Sequence, residues 1–137
     1  MTQAIVIAKP PMFEEIAAVF RLAHMPGVIF SWGAATIFNP SGIVIPQPLL
    51  AHEAVHGARQ GYDDAGIRAW WKRYIADPAF RLAEEMPAHR AEYAAIKGLV
   101  QDRNARVREL HQIVTRLCGP LYGGIISRTN AWKAVAS

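Results

Sequence analysis

The chain has 137 residues, 52% hydrophobic and 19% charged, close to globular averages, so a disordered or low-complexity chain is excluded and a single domain over 1–137 is expected. Fifteen Lys and Arg against eleven Asp and Glu leave a net charge of +4, which permits contact with acidic surfaces without demanding it. No apolar run approaches the roughly 20 residues of a membrane span. The first ten residues also lack the basic start and long apolar stretch of a secretory signal, which points to a cytoplasmic protein.

Phe13, Ile16, Ala17 and Phe20 fall at helical spacing after Pro10-Pro11, predicting a first helix of about three turns that ends near Pro26-Gly27. Three short β-favouring runs follow, at 28–32, 35–38 and 43–45, parted by Gly33 and by Asn39-Pro40-Ser41-Gly42. They read as a small antiparallel sheet. Pro46-Gln47-Pro48 stops the last run and opens a second helix over 49–60. After a break at Gly61-Tyr62-Asp63-Asp64, residues 65–75 read as a short helix carrying Trp70, Trp71 and Tyr74.

Asp77-Pro78 starts a long helical region in which Leu82, Met86, His89, Tyr93, Ile96 and Val100 keep steps of three and four. The pattern resumes with Val107, Leu110, Val114 and Leu117, so one long helix or two stacked end to end is predicted, with Pro87 kinking its first turns. Gly119-Pro120 ends this region, and Ser127 is placed to cap a last helix through Val135. The fold class expected is α+β, mainly helical.

His52-Glu53-Ala54-Val55-His56 is an HExxH sequence on the predicted second helix. Residues four apart are helix neighbours, so both imidazoles can reach one ion, and Glu53 stands beside His52 where a general base for water belongs. An accidental match in a chain of this composition has a chance of roughly 1%. A catalytic zinc site usually takes three protein ligands, so one more must come from elsewhere. The extended HExxHxxGxxH pattern is absent, since Arg59 and Tyr62 stand where it needs glycine and histidine, which excludes a metzincin.

The candidates for the third ligand are Asp63, Asp64, Glu84, Glu85, His89, Glu92 and His111. A helix packed on the motif helix is the natural supplier. After Pro78, Glu85 flanks the apolar stripe of Leu82, Met86, His89 and Tyr93, whereas Glu84 faces the small side chains Ala88, Ala91 and Ala95. Glu85 is therefore the choice, with Glu84 as first substitute. Tyr62, His89, Tyr93 and Tyr122 are of the right type to steady an oxyanion, and spacing selects none of them.

Several segments together carry a resemblance: Pro26-Gly27-Val28-Ile29-Phe30, Ile37-Phe38-Asn39-Pro40-Ser41-Gly42, the HExxH itself, Trp70-Trp71, Phe80-Arg81-Leu82, Glu85, Ala88-His89-Arg90-Ala91 and Gly119-Pro120-Leu121-Tyr122-Gly123. Over roughly residues 26–127 the chain resembles a group of small zincin-like proteins encoded in tailed-phage and prophage genomes, built as a minimal gluzincin-type metallopeptidase. The glutamate of that pattern matches Glu85. Two positions depart from it: His89 stands where an aromatic residue is usual, and Gly57-Ala58-Arg59-Gln60 follows the motif in place of a glutamine pair. Neither change removes a ligand.

The resemblance implies a zincin-like fold and a metal site with Glu85 as third ligand; the HExxH chemistry makes zinc on His52, His56 and Glu85, with Glu53 as general base, the centre of a zinc-dependent hydrolase whose expected substrate is a peptide or protein. One alternative is a phage structural or host-interaction protein with a structural or catalytically silent zinc site; another is a basic nucleic-acid-binding accessory protein. A phage virion or a host protein is then the expected partner, in the host cytoplasm or on the virion. Arg103, Arg106, Arg108 and Arg116 read as a solvated basic face, so nucleic acid is not expected as a partner. Cys118, the single cysteine, allows no internal disulfide and reads as an inert buried thiol.

Overall fold

Short runs of β-branched and aromatic residues alternate with turn residues in the first third of the chain, and amphipathic helical runs fill the rest. The computed structural model describes residues 3–137; Met1 and Thr2, the start of the segment read for a secretory signal, lie outside them. In chain order the elements are β1 (Ala4–Val6), α1 (Phe13–Val19), a 3-10 turn (Arg21–His24), β2 (Phe30–Trp32), β3 (Thr36–Phe38), α2 (Gln47–Gln60), α3 (Asp64–Ala76), α4 (Pro78–Leu99), α5 (Arg103–Leu117), a 3-10 turn (Pro120–Tyr122) and α6 (Arg128–Ala136). The protein is thus mainly helical with one small sheet, an α+β arrangement. Among the described residues no helix is long and apolar enough to cross a membrane.

Backbone contacts divide the chain into two compact units, one of Met1–Pro46 with Glu53–Ala76 and one of Gln47–His52 with Asp77–Ser137. In the first, β3 is the central strand of a three-stranded sheet of order β1-β3-β2. β2 pairs with it antiparallel, Ser31 opposite Ile37, while β1 pairs with it parallel, Ile5 opposite Ile37. The sheet is therefore mixed, which corrects the all-antiparallel expectation. The run 43–45 is not its third strand. Only three residues separate Gly42 from Pro46, the Ile43 carbonyl is taken by Asn39 Nδ2 at 2.8 Å, and Val44 is 89% exposed. The N-terminal segment, free of proline until Pro10, supplies the strand instead.

The first helix is shorter than its periodicity suggested, because Phe20 turns extended and a 3-10 turn follows. Phe13 and Ile16 of α1 are buried, as are Phe30, Ile37, Ile67, Trp70 and Trp71.

Two glycines set the close packing of this unit. Gly33, in the β2–β3 turn at φ +74°, leaves no room for a Cβ, which would sit 2.6 Å from Ile67 Cδ1 and 2.7 Å from the Gly61 carbonyl. Gly57 on α2 faces the same turn, and a Cβ there would lie 2.6 Å from the Gly33 carbonyl oxygen and against Gln3 Nε2. Backbone cannot step aside as a flexible side chain can. Gly57→Ala is therefore expected to cost about 1–3 kcal/mol, although alanine is the better helix former. Urea unfolding checks this, and an unchanged or raised midpoint would refute the close approach.

In the second unit, Asp77 caps α4 through Oδ1, which accepts from the amides of Ala79 and Phe80. The helix continues through Pro87 to Leu99. There Val100 turns extended, and Asp102 Oδ2 accepts from Ala105 N at 2.8 Å to start α5. The long periodic region is thus two helices packed side by side rather than stacked end to end. Tyr93 and Ile96 of α4 share one core with Leu110, Ile113, Val114 and Leu117 of α5 and with Ala131 and Val135 of α6. Ser127 Oγ accepts from Asn130 N and caps α6. Cys118 is half-buried against that core.

Candidate metal centre

α2 runs without interruption through the HExxH motif, so His52 and His56 lie on consecutive turns of one helix face. On α4, Glu85, His89 and Glu92 recur at steps of four and three and share a face likewise. His52, His56, Glu53, Glu85 and His89 are all buried. Burying so many ionisable groups is costly unless they bond one another or an ion.

Around His52 they do bond one another. Glu92 Oε1 lies 2.9 Å from His52 Nδ1 and 3.1 Å from His89 Nδ1, so one carboxylate oxygen accepts from two imidazoles. Arg116 Nη2 donates to the other oxygen, Oε2, at 3.3 Å. With its Nδ1 proton on Glu92, His52 turns the lone pair of Nε2 towards Glu85 Oε1, 3.2 Å away. Two acceptors this close need a proton or a cation between them. Tyr122 donates its hydroxyl to Glu85 Oε2 at 3.3 Å and holds that carboxylate from the far side. The rings of His52 and His89 meet edge to face with centroids 4.5 Å apart. His89 Nε2 is buried and has no hydrogen-bond partner.

Burial pushes Glu92 up, but the hydrogen bonds from His52 and His89 outweigh it and hold the carboxyl far below its ordinary value. Burial pushes His89 down, against the raising effect of Glu92, and keeps the imidazole neutral. Both shifts act in one direction on stability. A folded pKa below the unfolded one means that the unfolded chain binds the proton first, so the contribution is present above the unfolded value and is lost as pH falls. For the metal-free protein, stability should decline as pH drops below the ordinary histidine value of 6.5 and again below the carboxyl value of 4.5. Urea midpoints measured between about pH 7.5 and 3.5 test this, and a flat profile over that range would contradict it.

Glu53 is held separately. Ser31 on β2 places its Oγ 2.7 Å from Glu53 Oε2 and 2.8 Å from the Glu53 carbonyl oxygen. Trp71 Nε1 in turn donates to the Ser31 carbonyl at 3.1 Å. His56 packs edge-on against Trp70, centroids 5.4 Å apart, and Tyr74 stacks on Trp70 at 4.9 Å. The aromatic residues of α3 thus wall the second motif histidine as well as covering the core.

The other candidates are engaged elsewhere. Asp63 Oδ2 accepts from the Gly66 amide, and Asp64 takes Arg68 and Trp32. His111 meets Arg128 and Trp132. Tyr62 is exposed and Tyr93 belongs to the helical core. Glu84 is buried on α4 but enters no candidate ligand set. Within the second unit one such set is His52, His89 and Glu92, with one donor atom per residue lying within 4.8 Å of the others.

Sequence reasoning named Glu92 as a candidate ligand without its bonds to His52 and His89, and it missed Ser31 altogether. Glu92 had a signal, the 85-89-92 spacing on one helix face, whereas nothing in sequence ties Ser31 to a glutamate 22 positions on. Removing an orienting carboxylate from a metal-binding histidine typically costs 10- to 100-fold in affinity, so with zinc on His52 as the sequence leads one to expect, Glu92→Gln would weaken its binding by about that factor. Competition with a chromophoric chelator measures it, and a change under about twofold would show that Glu92 does not orient His52. Compared with known proteins, the chain matches no family model, no curated protein and no solved structure.

Proposed function

We propose that the chain is a zinc-dependent hydrolase, a minimal zincin-like metallopeptidase of the phage type, in which His52, His56 and Glu85 hold the ion and Glu53 is the general base. The observation that carries this reading is the 3.2 Å approach of His52 Nε2 to Glu85 Oε1 with His52 Nδ1 occupied by Glu92. Two ligands of a tetrahedral zinc, each at 2.0–2.1 Å, stand about 3.3 Å apart, so the spacing suits a shared cation. The helical register of HExxH adds His56 to the same set.

When bound, zinc lowers the pKa of water towards about 7 and polarises a carbonyl. The chain's own groups do the rest. Glu53, braced by Ser31, takes a proton from water and delivers it to the leaving amine. Tyr122 and Glu92 fix the orientation of Glu85 and His52. A peptide or protein is the substrate class, with a virion or host protein in the host cytoplasm as its source.

One observation favours the second reading, a structural or silent zinc site. His52 also belongs to a second candidate ligand set, with His89 and Glu92, that has no adjoining general base, and a cation held there would serve structure alone. Metal content by elemental mass spectrometry on untagged protein tests the premise common to both. About one zinc per chain supports it. No bound zinc after reconstitution would overturn it.

A further inference from the structure

The C-terminal helices hold a charge imbalance that the metal cluster does not use. Residues 103–137 carry six Lys and Arg and one acid, Glu109, a balance of +5 against +4 for the whole chain. Arg116 alone is spent on Glu92. On α6, Arg128, Thr129, Trp132 and Lys133 share one helix face and line an open groove of about 290 Å³. From α5, His111 and Thr115 reach the same face: Arg128 Nη2 donates to His111 Nδ1 at 2.8 Å and Nη1 to Thr115 Oγ1 at 3.1 Å.

Neither partner is a carboxylate, so the guanidinium is held in place with no anion paired to it. The His111 ring also braces Trp132 edge-on, with centroids 4.9 Å apart. An anchored arginine, an exposed lysine and a braced indole therefore stand side by side on one surface.

We propose that this face of α5 and α6 binds single-stranded nucleic acid, with Arg128 and Lys133 on phosphates and one base stacked on Trp132. Read along α5 alone, the arginines are a solvated face; the tertiary structure adds the aromatic platform that a positively charged surface needs to hold bases as well as backbone. An acidic peptide would use the cations and leave Trp132 without a π-partner. A duplex keeps its bases stacked inside and has none to offer. A nucleoside monophosphate would leave one of the two cations, Arg128 or Lys133, without a phosphate.

Fluorescence anisotropy of a labelled oligo-dT strand of about 20 nucleotides, titrated with the full chain at two salt concentrations, tests the proposal. Binding is expected to weaken with salt at a log–log slope of about −0.7 per phosphate contact, so about −1.4 for the two contacts of Arg128 and Lys133. Lys133→Glu, at an exposed position, should weaken binding several-fold and shallow that slope by about one contact. Trp132→Ala should weaken it about tenfold or more. Because Trp132 also packs on the helical core, Trp132→Phe is measured beside it, and Lys133→Glu carries the test without disturbing the fold. Absence of binding at low salt, or binding indifferent to both Lys133→Glu and Trp132→Phe, overturns the proposal. Inorganic polyphosphate of equal charge displacing the strand with equal effect would do so too, by showing a contact made through charge alone.

Discussion

Replacing Glu53 with glutamine is expected to lower peptide hydrolysis by about 10²–10⁴-fold while leaving zinc content and thermal stability near those of the wild type. Glutamine keeps the length and an oxygen that accepts from Ser31 Oγ, so the packing of α2 on β2 is retained. It cannot take a proton from water. The two readings of the zinc site divide here. A hydrolase loses its activity on a peptide library and keeps its metal. A structural or silent site shows no hydrolysis before or after the change, because it needs no base. Loss of zinc in Glu53→Gln would contradict both, since it would make Glu53 a ligand.

Glu85→Ala is expected to abolish the stabilisation that zinc confers. A ligand that binds only the native state stabilises it by about 2.7 kcal/mol at 100 times its Kd, which for a chain of this size raises Tm by roughly 10 °C. The readout is the zinc-induced shift within each variant, so any direct cost of removing a buried carboxylate cancels. Glu84→Ala, one residue away and equally buried, is the control and should keep the shift. If Glu84→Ala loses it and Glu85→Ala keeps it, the ligand assignment is reversed. Glu85 is the expected ligand because its Oε1 faces His52 Nε2 while Tyr122 secures Oε2.

How far the fold was legible depended on the range of the interactions involved. α2, α3 and α6 were readable to within two residues at each end, because apolar periodicity, Pro48 near the helix start and the Ser127 cap are local signals. The Asp77 cap of α4 was legible for the same reason. The break at Val100 was not. The apolar period runs on across it, and only the cap at Asp102 marks where the chain turns back. The sheet was legible as two strands and illegible as three, because β1 and β3 lie some thirty residues apart and pair through backbone alone.

The candidate site divides the same way. The sequence by itself determined that two histidines share one face of a helix with a glutamate beside the first, since residues four apart on a helix are neighbours. It also limited the candidates for a third ligand to seven residues, with Glu85 as the choice. Only the tertiary structure decided that His52 points one nitrogen at Glu92 and the other at Glu85, that Ser31 braces Glu53, and that Trp132 stands beside Arg128. Each of these joins residues distant in the chain or fixes a side-chain direction. Helical period and local propensity carry no information on either, because both are set by packing between elements.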